Sequence, residues 1–389
     1  MNKSKMLGMG LLFYLLAAVS SFFIFSVTLF SNTGDSLLDN VPAPKTSDGN
    51  VVFDVSLPKT EVCPLNGELF SKQQRKWWES HRPLGVMIEN HEESRPQSGL
   101  SNADVIYEFV AEGGITRFLA VYYCDTAEMV GPVRSARTYF LDMISEYADY
   151  PLYAHVGGAN TPGPANALGQ IEDYGWQSYN DLNQFSVGFP TFWRDNERLP
   201  GVATEHTVYS TTQKLWDIGK KRKLTEKNED GDKWDEEFVP WKFKKEAGTA
   251  ERGKVQTISY SFWDGYAAYS VSWKYDPVTN IYTRSNGGKP HVDNNTDKPL
   301  AVKDLIVLYM KESRANDGYE GNLHMLYGDK GSGKAVFFMD GQRIEGTWNK
   351  KDRTSRTIFK DKTGTEMQLN PGAIWISVLD TANTSLIVK

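Results

Sequence analysis

The chain is poor in cysteine and has no spacing typical of a metal site. Only Cys63 and Cys124 occur among its 389 residues. No CxxC, HExxH or Cys/His cluster is present, so we predict neither a metal nor a cofactor. The segment GDKGSGKA at 328–335 approaches a P-loop, but alanine stands where Ser or Thr should hold magnesium, and a strand-like run follows. We interpret this segment as a hairpin turn.

Basic residues are not in excess either. Asp and Glu total 49 against 43 for Lys and Arg, which gives a net charge of −6. Because binding to a phosphate backbone requires a basic surface, nucleic acid is excluded as the main partner. Hydrophobic residues make up 40% of the chain and aromatic residues 13%, enough for packed cores.

Charge is absent from residues 6–34, and about 25 of these residues form an apolar run long enough to span a bilayer. Lys3 and Lys5 precede the run, so the positive-inside rule places the N-terminus in the cytoplasm and the rest outside. A cleaved signal peptide is the alternative, but the run is long for one and no A-x-A site follows. We therefore predict a single-pass protein of the cell membrane whose bulk is extracytoplasmic.

The two cysteines are a candidate disulfide, Cys63–Cys124, because an extracytoplasmic compartment is oxidising. Two separate thiols are the alternative, since the sequence does not give the distance between them. Neither cysteine lies near the end of the apolar run, so no lipid would be attached there.

Composition divides the chain into five segments and predicts an α+β fold. These are a transmembrane anchor at 1–34, a tether at 35–62, a mixed α/β first domain at 63–223, an acidic linker at 224–253 and a β-rich second domain at 254–389. In the first domain we predict strands at 84–89, 105–112, 115–123 and 152–156, and helices at 135–147, 165–174 and 211–222. Hairpins are predicted in the second domain, most clearly around Asp340-Gly341.

The first domain carries a group of charged residues on a predicted hairpin. A two-residue turn at Gly113-Gly114 would place Glu108, Glu112 and Arg117 on one face among aliphatic neighbours. A structural ion pair that fixes the hairpin is one interpretation. The other is a pair of carboxylates tuned by a cation for binding or acid–base chemistry.

Further polar residues follow strands or precede helices. Arg134 and Arg137 stand at the start of a predicted helix, where they would either bind an anion or pair with the acids. His155 ends a strand before Gly157-Gly158, a position that is more often structural than catalytic. His206 follows Glu205 just before a helix, and this pair is a weak signal by itself.

Three stretches of the first domain resemble the YerB family of bacterial envelope proteins: RPQSGLSNADVIYEFVAEGGITRFLAVY, GPVRSARTYFLD and YAHVGGA. The second domain resembles it through YTRSNGGKPHVD, GSGKAVFFMDGQRIEGTW and LNPGAIWISV, so the resemblance covers most of the chain after about residue 80. It implies an extracytoplasmic, membrane-attached protein with N-terminal and C-terminal YerB domains, and no established reaction. Many members look like lipoproteins, whereas this chain would use its apolar helix as the anchor.

Together these observations predict an envelope protein that binds an envelope ligand, a cell-wall polymer or another envelope protein, through a polar site in the first domain. The alternative is an envelope hydrolase or lyase that acts on glycan with first-domain carboxylates and His155; no catalytic residue is assigned. The candidate ligand-binding residues are Glu89, Asn90, Arg95, Gln97, Ser98, Glu108, Glu112, Arg117, Arg134, Arg137, His155 and His206. We expect Arg117, Arg134 and Arg137 to form one anion-recognising wall that faces Glu89, Glu108 and Glu112.

The predicted topology is testable by cysteine labelling across the membrane. Residues after about Asp35 should react from outside the cell, because Lys3 and Lys5 precede the uncharged span and hold the N-terminus in the cytoplasm. A labelling map in which the second domain is reachable only from the cytoplasmic side would contradict this topology.

Overall fold

The structure, a computed structural model, describes residues 41–47, 50–147 and 149–389. The predicted anchor at 1–34 and the first residues of the tether lie outside this part of the chain. Among the described residues, no helix is both long enough and apolar enough to cross a membrane.

The described residues are strand-rich and contain short helices. The helices are α1 (Lys72–Trp78), α2 (Thr138–Ile144), α3 (Ala167–Asp173), α4 (Gln184–Val187) and α5 (Thr212–Lys221). The strands up to residue 243 are β1 (Lys45–Ser47), β2 (Asn50–Val52), β3 (Lys59–Val62), β4 (Leu69–Ser71), β5 (Leu84–Glu89), β6 (Val105–Glu112), β7 (Ile115–Tyr122), β8 (Leu152–His155), β9 (Asp181–Asn183), β10 (Trp193–Arg194), β11 (Val208–Tyr209) and β12 (Lys242–Phe243).

The later strands are β13 (Thr257–Tyr260), β14 (Val271–Asp276), β15 (Ile281–Asn286), β16 (Lys289–Pro290), β17 (Val292–Asp293), β18 (Lys298–Pro299), β19 (Ala301–Val302), β20 (Asp304–Met310), β21 (Glu312–Arg314), β22 (Met325–Tyr327), β23 (Gly331–Met339), β24 (Gln342–Lys350), β25 (Ile358–Asp361), β26 (Gln368–Leu369), β27 (Ile374–Asp380) and β28 (Ile387–Val388). The P-loop-like segment leads into β23, so a strand stands where a P-loop requires a helix.

One ten-stranded mixed sheet contains strands from both predicted domains, in the order β25-β24-β23-β20-β27-β6-β7-β5-β8-β9. The junction is a parallel pairing of β27 with β6, in which Ile374 lies opposite Val105. Every residue of β5 and β20 is buried, because both faces of the sheet are covered. The two predicted domains therefore share one sheet within the unit Pro44–Lys389.

Different elements cover the two faces of this sheet. On one face, Phe109 of β6 packs against Tyr139 and Phe140 of α2. On the other face lies a six-stranded sheet in the order β16-β15-β14-β13-β28, with β19 paired to β15. Trp273 of this sheet packs edge-on against Trp375 of β27, with ring centroids 5.3 Å apart. Aromatic side chains thus join the two sheets.

Several local predictions are confirmed in position. Strands β5 and β6 have the predicted bounds, and β14–β15 and β23–β24 are hairpins. At the β23–β24 turn, Asp340 and Gly341 both have positive φ, as a two-residue Asp-Gly turn requires. Helix α2 begins later than predicted, because Arg137 is extended and occupies the N-cap position in place of Ser135, without a side-chain capping hydrogen bond. The segment predicted as a linker packs against the rest of the structure, since two of its residues, Trp234 and Trp241, are buried in the core.

The hairpin of β6 and β7 contains a bulge that changes its register. Gly113 and Gly114 form the predicted turn, and Glu112 pairs with Ile115. Ala111 is then an extra residue, so Glu108 pairs with Phe118 and not with Leu119. Because side chains alternate along a strand, this shift sends Glu108 to the face opposite Arg117. The prediction that Glu108 shares a face with Glu112 and Arg117 is therefore wrong.

On its own face, Glu108 forms a fully buried ion pair with Arg284 of β15. Both carboxylate oxygens lie 2.8 Å from one terminal nitrogen of Arg284. Thr116 and Trp375 also donate to the carboxylate, at 3.0 and 3.1 Å. The guanidinium lies 4.5 Å from the centre of the Trp375 ring, a favourable cation–π position. The pair therefore joins the hairpin of the first half to the second sheet.

The structure joins Cys63 and Cys124 in a disulfide, with Cα atoms 6.0 Å apart and both residues buried. The disulfide links the residue directly after β3 to the second residue after β7. It closes a loop across a sequence separation of 61 residues, which restricts the unfolded chain.

Replacing both cysteines by alanine should lower the free energy of unfolding by about 4 kcal/mol, the loop-entropy value for this separation. Urea denaturation of wild type and the double variant measures the difference. Mass analysis of protein taken from the envelope is the second check, and two free thiols there would contradict the bridge.

Arg284→Met should lower the free energy of unfolding by about 3–5 kcal/mol, because it leaves the Glu108 carboxylate buried and unpaired. Arg343→Met is the matched control: Arg343 is 38% exposed in its side chain and pairs with Glu345 at 3.0 Å. That change should cost less than about 1 kcal/mol. Equal losses for the two variants in chemical denaturation would show that the buried pair has no special role.

Candidate functional site

The face of β5–β7 opposite Glu108 carries a group of charged side chains, which we call the Glu89 cluster. Glu89 ends β5, and Arg117 lies beside it on β7. Glu112 ends β6, while the segment before α2 and the loop before β11 supply the remaining members. The cluster consists of Glu89, Glu112, Arg117, Arg134, Arg137 and His206.

Its inner part is a closed set of ion pairs around Glu112. Arg117 is buried and donates to Glu112 at 3.0 Å and to the Ser135 carbonyl at 3.2 Å. Arg137 donates to the other oxygen of Glu112. Burial acts to raise the pKa of Glu112, but the charges of Arg117 and Arg137 hold it well below its ordinary value. Glu112 is therefore a carboxylate whose partners are already in place.

The outer part is organised by Glu89, which is buried between two partners. Arg134 Nε donates to Oε1 at 3.0 Å, and His206 Nδ1 lies 2.8 Å from Oε2. Burial opposes ionisation of Glu89, yet the hydrogen bond from His206 and the charges of Arg134 and Arg117 lower its pKa. The same hydrogen bond raises the pKa of His206. Glu89 is thus an ionised anchor for both groups.

The cluster opens to solvent at Arg134. Its side chain is 25% exposed, and among the described residues its terminal nitrogens have no hydrogen-bond partner. Beside it, the ring of His91 stacks on that of His206, with centroids 4.8 Å apart and planes 9° from parallel. Glu93 completes this rim, with its carboxylate 3.6 Å from His206 Nε2.

Three of the predicted residues belong instead to the buried network around Glu108. The side-chain oxygen of Asn90 accepts hydrogen bonds from Arg95, Gln97 and Asn286, at 3.0, 3.1 and 2.9 Å. Gln97 Oε1 lies 2.7 Å from His291 Nε2. Burial, with the nearby charge of Arg284, lowers the pKa of Arg95 to about 10. These side chains hydrogen-bond to one another and to residues of the second predicted domain.

The residues of the second predicted domain that take part in this network were not identified from the sequence. Tyr282, Arg284 and Asn286 alternate along β15 and are the buried residues of that strand. An arginine in phase with a core tyrosine was the available signal, because a charged residue on a core face needs a buried partner. The sequence could not identify that partner as Glu108, which is distant along the chain.

His155 and Ser98 lie apart from the open rim. His155 is fully buried, with Nε2 2.5 Å from Asp181 and Nδ1 2.6 Å from the Gly157 carbonyl. Ser98 is buried and accepts a hydrogen bond from Arg198 at 2.6 Å. Both ring nitrogens of His155 are therefore engaged, as in a structural histidine.

The expected arginine wall is present only in part. Arg117, Arg134 and Arg137 share a face with Glu89 and Glu112, but the bulge removes Glu108 from this set. Arg117 and Arg137 are committed to Glu112. Arg134 is consequently the arginine of the cluster that has donors directed to solvent.

Comparison with known proteins gives consistent matches to one family. Residues 69–225 match the family described as "Protein of unknown function (DUF3048) N-terminal domain", and residues 258–376 match the DUF3048 C-terminal domain. The chain is 30% identical over 331 residues to a Bacillus subtilis (strain 168) protein named "Putative lipoprotein YerB". The aligned region covers 84% of this chain and 88% of that protein.

The fold is also that of a solved relative. The crystal structure of YerB protein from Bacillus subtilis matches with a TM-score of 0.69 at 24% identity, over 85% of this chain and all of that one. The two matched domains include nine strands of the ten-stranded sheet and the start of β27, together with most of the six-stranded sheet. The chain therefore belongs to the DUF3048 family and is homologous to YerB.

Proposed function

We propose that this protein is a membrane-attached, extracytoplasmic protein of the cell envelope that binds an anionic envelope polymer through Arg134. Two observations support the location: the apolar, uncharged run at 6–34 and the naming of the Bacillus relative as a lipoprotein. Carboxylate or phosphate groups on a wall polymer are the ligand chemistry that an arginine fork fits best.

The observation that carries the proposal is the way Arg134 is held. Glu89 accepts from Nε alone, so the outer edge of the guanidinium keeps its donors for a second anion. Glu89 is itself buried and is also bonded to His206, which fixes the guanidinium before any ligand arrives. A fixed arginine loses less conformational freedom on binding than a mobile one.

The same geometry disfavours the glycan hydrolase or lyase. A general acid must be protonated near neutral pH, whereas the pKa values of Glu89 and Glu112 are lowered by their cationic partners. Glu108 is sealed by Arg284, and His155 has both ring nitrogens engaged. Recognition of a charged ligand needs none of these groups to exchange a proton.

Arg134→Ala should leave the protein folded and remove its binding to cell walls. We expect a loss of only about 1–2 kcal/mol in the free energy of unfolding, since Glu89 keeps His206 and the nearby charge of Arg117. Thermal unfolding and sedimentation with purified cell walls are measured on the same preparations. Binding by wild type should weaken as salt is raised, because a solvent-exposed ion pair is screened.

Arg343→Ala is the control for nonspecific loss of one positive charge, and it should bind walls like wild type. The proposal fails if wild type does not sediment with walls, or if Arg134→Ala sediments equally well. A strongly destabilised Arg134→Ala variant with unchanged wall binding would assign this arginine to the ion-pair network alone.

A further inference from the structure

The rim of the Glu89 cluster contains a second set of groups, His91, Glu93 and His206. One ring nitrogen from each histidine and one carboxylate oxygen of Glu93 all lie within 4.8 Å of one another. We propose that these three residues bind a divalent transition-metal ion of the Zn²⁺ type. This site is additional to the anion-binding role of Arg134.

The donor set determines the class of ion. Two imidazole nitrogens and one carboxylate oxygen suit zinc and similar borderline ions, whereas Mg²⁺ and Ca²⁺ prefer oxygen ligands alone. Three protein ligands also leave a fourth position for water, as in open zinc sites.

One pair of these groups already has the spacing of a loaded site. Ligands about 2.0–2.2 Å from a tetrahedral zinc ion lie about 3.3–3.6 Å from one another. His206 Nε2 and Glu93 Oε2 are already 3.6 Å apart. Glu93 is 54% exposed in its side chain, and His91 is only half-buried. Both can therefore close on an ion without a change in the core.

His206 is oriented for this role by Glu89. The contact between Nδ1 and Oε2 of Glu89, 2.8 Å long, leaves Nε2 facing Glu93. A carboxylate on the far nitrogen of a metal-binding histidine fixes both its tautomer and its ring orientation. The Glu89 side chain is held in position, because it is buried and paired with Arg134. Of the three proposed ligands, His206 is thus the least mobile, because Glu89 holds its ring in place.

His91 is held more loosely. Its Nδ1 accepts a hydrogen bond of 3.3 Å from the Glu93 amide, and its ring stacks on that of His206. A ring with one long hydrogen bond can rotate to present a nitrogen to an ion. Because His91 and Glu93 are distant from His206 in the sequence, no short metal-binding motif reveals the set.

Isothermal titration of the untagged full chain with ZnCl₂, after treatment with a chelator and dialysis, tests the site. Wild type should bind one ion per chain. His91→Ala and Glu93→Gln should each weaken binding at least about tenfold, the lower limit seen even for supporting residues of metal sites. Glu92→Gln is the matched control, since it removes a neighbouring exposed carboxylate and should leave binding unchanged. Co²⁺ should give visible d–d absorption in wild type that both ligand variants lose.

Absence of zinc binding in wild type, or zinc binding by His91→Ala and Glu93→Gln as tight as that of wild type, would overturn the proposal. Thermal unfolding of the metal-free proteins checks that both variants are folded, as the surface positions of the two residues predict. Wall sedimentation of the same variants in the presence of chelator keeps the two proposals separate. Loss of zinc binding with wall binding retained supports the metal site and leaves the role of Arg134 intact.

Discussion

The buried pair of Glu108 and Arg284 is the interaction on which the junction between the two halves depends. Both side chains are fully withdrawn from water, and an ion pair tolerates this when most of its polar atoms are hydrogen-bonded; of these atoms, Arg284 Nε lacks a partner among the described residues. Thr116, Trp375 and Ser377 also donate to Glu108. These groups belong to β6, β7, β15 and β27, so one carboxylate fixes the relative positions of four strands from both sheets.

The exposure of the other polar side chains increases with their distance from this buried ion pair. Asn90 and Gln97 are bonded within the same buried network. On the opposite face, Glu112 is matched by two arginines and keeps partial exposure. The outermost groups, Arg134 and the rim histidine His91, are partly exposed. Most of these charged residues are therefore committed to buried partners, and only the outer edge of the Glu89 cluster is open to a ligand.

Both proposed sites meet at Glu89. One carboxylate oxygen holds Arg134 and the other holds His206, so a single buried acid orients an anion-binding fork and a metal-binding imidazole. This arrangement accounts for an acidic residue at the end of an otherwise apolar strand. Its burial is offset by two partners from separate loops, which supports rigid placement of both groups at the surface.

The sequence by itself determined the strands β5 and β6, the Gly113-Gly114 turn and the family, because apolar runs, turn chemistry and long motifs are local properties. It also concentrated the relevant charges between residues 89 and 206. It did not determine the register of β6 on β7, since Ala111 is a small residue that fits a bulge or a regular strand equally well. That bulge decides which face receives Glu108. The pairing of Glu108 with Arg284, and the division of charged groups into sealed and open ones, depend on which distant segment excludes water from each side chain. Only the tertiary structure decides this, because desolvation is a property of packed neighbours and not of the residue.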